Sequence, residues 1–92
     1  MEQHSTAYRN LADDELLKKL RVGDHTAYEG IYRRYWAMLF RHAQKILSSD
    51  EDARDLIQDL FENLWKRAAD IAIESSVSSY LYGMVRYIAT ES

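Results

Sequence analysis

The sequence contains no cysteine and no proline, and only three of its 92 residues are glycine. Without cysteine the chain can form neither a disulfide framework nor a cysteine zinc site. Few of the residues that tight turns of a sheet need are present, which favours helices. No uncharged apolar run approaches the length of a membrane span, and the N-terminus lacks the basic-then-apolar layout of a signal peptide. These absences predict a cytoplasmic protein without membrane insertion.

Apolar residues recur at helical spacing through most of the chain, which predicts an all-α protein. The pattern indicates a first helix that Asp13 or Asp14 caps, a second helix from about 24 to 47, a third from about 50 to 68 and a fourth from about 78 to the end. Gly23 is expected to end the first helix in the left-handed conformation. The predicted fold is therefore a compact three- to four-helix bundle, with residues 69–79 as a loop.

A chain of this length makes one small domain. Residues 1–10 are polar and aperiodic, and we expect them to form a flexible leader. Residues 11–92 then form the single helical domain. In the second helix we expect Tyr28, Tyr32 and Trp36 to lie in the core, because they continue its apolar stripe. Of Tyr80 and Tyr82 in the fourth helix, we expect at most one to be buried.

Charge is segregated along the chain although its net value is only −3. Residues 50–62 contain six acids and one base, whereas residues 33–45 contain four bases and no acid. Such segregation suggests two surfaces with two different partners.

The third helix carries the most informative pattern. Asp55, Asp59 and Glu62 recur at steps of three and four residues, with Gln58 beside them. Like charges at these spacings weaken a helix by a few tenths of a kcal/mol per pair. A basic partner would explain why the acids are kept, while a solvated acidic face is the alternative.

Little in the sequence points to catalysis. No histidine pair has the spacing of a helical metal site, and there is no glycine-rich loop to cradle a phosphate. The acids of the third helix lie along an open face, without a pocket to separate their pKa values. We therefore expect no enzyme activity, no metal and no cofactor.

The segment from Asp55 to Asp59, with sequence Asp-Leu-Ile-Gln-Asp, resembles the core-polymerase-binding helix of bacterial sigma factors, their region 2.2. The surrounding order resembles the extracytoplasmic function (ECF) group of the sigma-70 family. The segments that carry this resemblance are Asp14–Leu20, Asp24–Tyr28, Ile31–Tyr35, Asp50–Asp55, Phe61–Trp65 and Tyr80–Arg86. The match runs over nearly the whole chain, and its strength lies in the order and spacing of motifs that are individually weak.

This resemblance implies a transcription initiation factor domain that binds core RNA polymerase and engages and melts the promoter minus-ten element. It implies that the third helix faces the basic coiled coil of the clamp of the largest polymerase subunit. The residues assigned to this contact are Asp55, Gln58, Asp59 and Glu62.

The resemblance also implies contact with the non-template strand of promoter DNA, with a base flipped into the 69–79 loop. The residues assigned to DNA are Arg33, Arg34, Arg41, Lys45, Tyr80, Tyr82, Arg86 and Tyr87. Many family members have Arg where this chain has Gly83 and Asn where it has Tyr87, so base preference does not carry over. An anti-sigma factor is implied as a regulatory partner, and the minus-35-reading domain of such factors is absent from this chain.

Two other functions remain open from the residues alone. The first is a non-catalytic helical adaptor whose acidic helix binds some other basic protein. The second is an enzyme with carboxylate chemistry, which would need a pocket near the acids.

Overall fold

The computed structural model describes residues 11–71 and 76–91. These residues form four α-helices, namely α1 (Asp13–Arg21), α2 (His25–Ile46), α3 (Asp50–Arg67) and α4 (Val77–Glu91), with a 3-10 turn at Ala68–Asp70. No strand occurs in the described ranges, so the predicted all-α helical bundle is confirmed. The predicted leader, residues 1–10, lies outside the described residues, as do residues 72–75 of the predicted loop.

Helix α1 begins one residue earlier than the sequence suggested. Its N-cap is Ala12, which makes no side-chain cap, so the prediction that Asp13 or Asp14 caps this helix is wrong. The carboxylate of Asp13 instead accepts hydrogen bonds from the Tyr35 hydroxyl and, at 2.8 Å, from the Arg34 guanidinium of α2. The Asp13 side chain therefore makes tertiary contacts with α2 instead of capping its own helix.

The turn between α1 and α2 follows the prediction. Gly23 has φ +85°, which side chains disfavour. The N–H groups of Gly23 and Asp24 donate to the carbonyls of Leu20 and Lys19, which satisfies the last turn of α1. Asp24 then caps α2, because its carboxylate accepts from the N–H groups of Thr26 and Ala27 at 2.9 and 3.2 Å.

Helix α2 runs through the middle of the bundle and packs against each of the other three helices. The buried side of α1 lies close to α2 at Gly30, where an added Cβ atom would come 3.5 Å from the Leu16 side chain. The largest fully buried side chains come from all four helices and are Leu16, Leu20, Ile31, Leu39, Ile57, Leu60, Phe61, Leu81 and Val85. One core therefore fixes how the outer faces of α2, α3 and α4 lie relative to each other.

Arg21 ties the end of α1 to the segment after α3. Its Nη2 donates to the Ile71 carbonyl at 2.6 Å, and Ile71 is buried. This bond holds Ile71, the residue directly after the 3-10 turn, against the end of α1.

Candidate functional site

The outer face of α3 presents every residue that was assigned to polymerase. Asp55, Gln58, Asp59 and Glu62 are all exposed, while Leu56, Ile57, Leu60, Phe61 and Leu64 of the same helix are buried. Ser49 caps the helix by accepting from the Asp52 N–H at 3.2 Å. Burial of the apolar side and this cap stabilise the helix despite the repulsion between its acids.

We call the four residues Asp55, Gln58, Asp59 and Glu62 the acidic face. Among the described residues, none of its carboxylates forms an ion pair with a basic side chain. The carboxylates of the face are therefore not held in ion pairs by the part of the chain that the structure describes.

Aromatic rings cover the seam between α2 and α3 beside the acidic face. We call this group the aromatic cluster, and its members are His25, Tyr28, Tyr32, Phe61 and Trp65. Ring centroids lie 4.3 Å apart for His25 and Trp65, 4.7 Å for Tyr32 and Phe61, and 5.2 Å for Tyr28 and Trp65. The prediction that Tyr32 is a core residue is wrong, because its side chain is 40% exposed. Tyr28 and, farther along α2, Trp36 are partly buried and pack against the core.

Tyr28 connects the aromatic cluster to both helices. Its hydroxyl donates to the Phe61 carbonyl of α3 at 3.0 Å. Burial raises the pKa of this hydroxyl, and the neighbouring Tyr32 and the negative charge of Glu62 raise that pKa further. Glu62 follows Phe61 and precedes Trp65 by three residues on α3, so it borders the aromatic cluster.

The basic residues of α2 differ in how available they are. Arg33, Arg41 and Lys45 are exposed, and they follow one another at multiples of four residues along the outer side of the helix. Arg34 is half-buried and is held by Asp13. The first three can approach a phosphate backbone directly, whereas Arg34 already has a structural ion pair.

Helix α4 spreads its assigned DNA residues over different sides. Tyr80 and Tyr87 line an open groove of about 370 Å³ against α3, with Asn63 and Arg67 on the opposite wall. Tyr82 packs instead on His42 of α2, with ring centroids 5.0 Å apart in an edge-to-face arrangement. Tyr80 and Tyr82 are both partly buried, and Tyr87 is 67% exposed.

Sequence reasoning missed two groups that border these sites. Asn63 and Arg67, four residues apart, form the α3 wall of the groove, and this spacing was the signal that could have found them. The exposure of Tyr32 had no comparable signal in the sequence, because Tyr32 continues the same apolar stripe as buried residues.

Gly83 lies in the groove, and a Cβ atom there would meet nothing within 4 Å.

The part of the chain that the structure describes contains neither a candidate metal site nor a candidate membrane span. Over residues 11–71 and 76–91, no group of three or more histidine or carboxylate side chains could hold a metal ion. None of the described helices combines the length and apolar character that crossing a membrane requires.

Comparison with known proteins identifies relatives. The family model for sigma-70 region 2 matches residues 31–91. Two curated proteins, both named ECF RNA polymerase sigma factor SigM and from two strains of Mycobacterium tuberculosis, are each 32% identical to the chain, over 74 and 71 residues. The matches cover 80% and 77% of this chain but only 38% and 36% of those proteins. The chain thus spans less than two fifths of the length of these relatives. No solved structure gives a significant match.

Proposed function

This chain belongs to the sigma-70 region 2 family, as the resemblance in its sequence suggested, and from that premise we propose that it acts in transcription initiation by docking on core RNA polymerase and engaging the promoter minus-ten element. The docking contact is the acidic face on α3, and its partner is the basic coiled coil of the clamp of the largest polymerase subunit. The DNA contact is made by the outer side of α2 together with α4.

The acidic face is the observation that carries this proposal. Four neighbouring polar or acidic side chains lie exposed on one helix, and among the described residues its carboxylates form no ion pair. Exposed ion pairs contribute only about 0.2–1 kcal/mol each. The acids therefore act mainly on the orientation of the complex and on the rate at which it forms.

The experiment is a titration of the chain with a soluble fusion that displays the clamp coiled coil, at about 0.1 M and about 0.5 M salt, where screening differs strongly. We expect salt-sensitive binding that is lost when Asp55→Lys is combined with Asp59→Lys. The matched control combines Asp14→Lys with Glu15→Lys, which changes the net charge equally on exposed positions of α1. This control should retain binding, with circular dichroism used to establish that both variants are folded.

Absence of binding by the folded wild-type chain would contradict the proposal. The acidic face would then be that of a helical adaptor for another basic protein. Equal loss of binding in both double variants would indicate a dependence on net charge alone, and would remove the assignment to α3.

Phosphate contacts to DNA come from four exposed basic side chains, those of Arg33, Arg41, Lys45 and Arg86. The exposed ring of Tyr87 supplies a surface on which a nucleobase can stack. Each stacked base contributes about 1–3 kcal/mol. Tyr80 and Tyr82 are partly buried, and Arg34 is paired with Asp13, so each of these residues exposes less area to DNA. We propose that they contact DNA at the border of this surface.

Because the chain carries a net charge of −3, we expect it to bind DNA weakly or undetectably in the absence of polymerase. Fluorescence anisotropy with a single-stranded minus-ten oligonucleotide measures this. A low-micromolar, salt-sensitive complex without polymerase would contradict the expectation. An anti-sigma factor completes the proposed partners, and pull-down with candidate regulators is its test.

A further inference from the structure

The aromatic cluster and the acidic face form one continuous surface. Gln58, Glu62 and Trp65 follow each other at steps of four and three residues on α3, so they share a side of that helix. Glu62 is close enough to Tyr28 to act on its hydroxyl electrostatically. Tyr32, from α2, is 40% exposed and lies against Phe61. A partner that covers the acidic face would also meet these rings.

The same seam already holds a cation over an aromatic ring. The guanidinium carbon of Arg54 lies 5.8 Å from the centroid of the Phe40 ring. The Trp36 ring stacks on the same Phe40 ring, with the two centroids 5.0 Å apart. Farther along the seam, no cation of the described residues lies over Tyr32 or Trp65. The exposed ring of Tyr32, beside carboxylates that form no ion pair among the described residues, attracts a positively charged side chain through the ring quadrupole and through the negative charge of the acidic face.

We propose that the aromatic cluster is the affinity-bearing half of the polymerase docking surface, and that it seats a lysine or arginine of the basic coiled coil on the exposed ring of Tyr32, with Glu62 nearby on α3. This inference rests on the proposed function. The occupant is a basic helical protein because the three exposed carboxylates of the acidic face form no ion pair among the described residues and so favour a positively charged partner. The long aliphatic stem of such a side chain covers the apolar ring area while its charge faces the carboxylates.

The two halves of the surface have different kinetic roles. Exposed acids at the rim steer the encounter, so their replacement lowers the association rate and the salt dependence. Aromatic residues that become buried in a complex act mainly on the dissociation rate. Contact with the rings is short-range and is screened much less by salt.

The test measures association and dissociation rates on the immobilised clamp coiled coil, again at about 0.1 M and about 0.5 M salt. For Tyr32→Ala we expect binding about five- to thirtyfold weaker at both salt concentrations, mainly through faster dissociation, as loss of a desolvated cation–π contact implies. Tyr32→Phe keeps the ring and should bind within about twofold of wild type. Tyr32→Leu keeps apolar area without a π-system, and should resemble Tyr32→Ala.

The control is Met38→Ala, which shortens a side chain of the same helix that is 43% exposed and is assigned to neither proposed surface, and which should leave binding unchanged. Wild-type affinity in Tyr32→Ala, together with loss of binding on reversal of Asp55 and Asp59, would overturn this inference and leave the proposed function intact. Wild-type affinity in Tyr32→Leu would overturn the cation seat. Absence of binding by the wild-type chain would remove both proposals.

Discussion

Removing one hydroxyl group, by Tyr35→Phe, should destabilise the bundle measurably. Tyr35 is only 7% exposed, and its hydroxyl donates to the Asp13 carboxylate, which joins α2 to α1. A hydrogen bond to a charged group contributes about 1.5–3 kcal/mol. Because Asp13 keeps its ion pair with Arg34, we expect the lower part of this range, about 1.5–2 kcal/mol at pH 7. In a domain of this size each kcal/mol lowers the melting temperature by about 4–8 °C.

The pH dependence of stability tests the same contact in a second way. Burial, followed by the hydrogen bond and charge of Asp13, raises the pKa of Tyr35 to about 12. An unfolded tyrosine ionises near pH 10, so its contribution to stability is complete below about pH 10 and is lost as the pH rises through 12. This difference in pKa corresponds to roughly 2–3 kcal/mol. Tyr35→Phe lacks that ionisation, so its stability should approach that of wild type as the pH rises.

Urea unfolding followed by circular dichroism at pH 7, 9, 10 and 11 measures both effects. Tyr87→Phe is the matched control, because it removes a hydroxyl from a residue that is 67% exposed, and it should change stability by less than about 0.5 kcal/mol. Equal stability of Tyr35→Phe and wild type at pH 7, with parallel curves up to pH 11, would refute the reasoning about this contact.

Three further substitutions test the local structure by thermal and urea unfolding. Gly23→Ala should cost about 1–2 kcal/mol because of the positive φ, whereas Gly83→Ala, in a helix with open space around it, should stabilise by up to about 1 kcal/mol; the same sign for both would contradict this. Asp24→Ala removes the cap of α2 and should cost about 0.5–2 kcal/mol, and an unchanged melting temperature would show that the cap contributes little. Arg21→Met leaves the buried Ile71 carbonyl without its donor and should cost about 1–3 kcal/mol, with Arg21→Lys expected to recover part of the loss.

Local chemistry predicted the helix junctions well. Gly23 and Asp24 act within three residues of their own positions, as a left-handed stop and an N-cap, so their roles can be read from neighbouring residues. The cap of α1 could not be predicted in this way. The Asp13 carboxylate is taken by Tyr35, which lies 22 residues away in sequence, and the pairing depends on how α1 docks on α2.

The same distinction holds for the site. A two-faced pattern was enough to predict that Asp55, Asp59 and Glu62 lie outside, because burial on one side of a helix exposes the other. It was not enough for Tyr32, since α3 covers only part of the α2 stripe. Nor could it separate Tyr82 from Tyr80, which face different neighbouring helices. Such assignments depend on how the helices pack on each other, which the periodicity of a sequence does not specify.

The measurement that tests the account most directly is a titration of the isotope-labelled chain with the unlabelled clamp coiled coil, followed by amide NMR spectra. The account predicts that the signals of Gln58, Glu62 and Tyr32 change most, and that those of Arg86 and Tyr87 on α4 stay in place. Changes concentrated on α4, or no change in a chain whose spectrum is that of a folded protein, would contradict the claim that the acidic face and the aromatic cluster together bind polymerase.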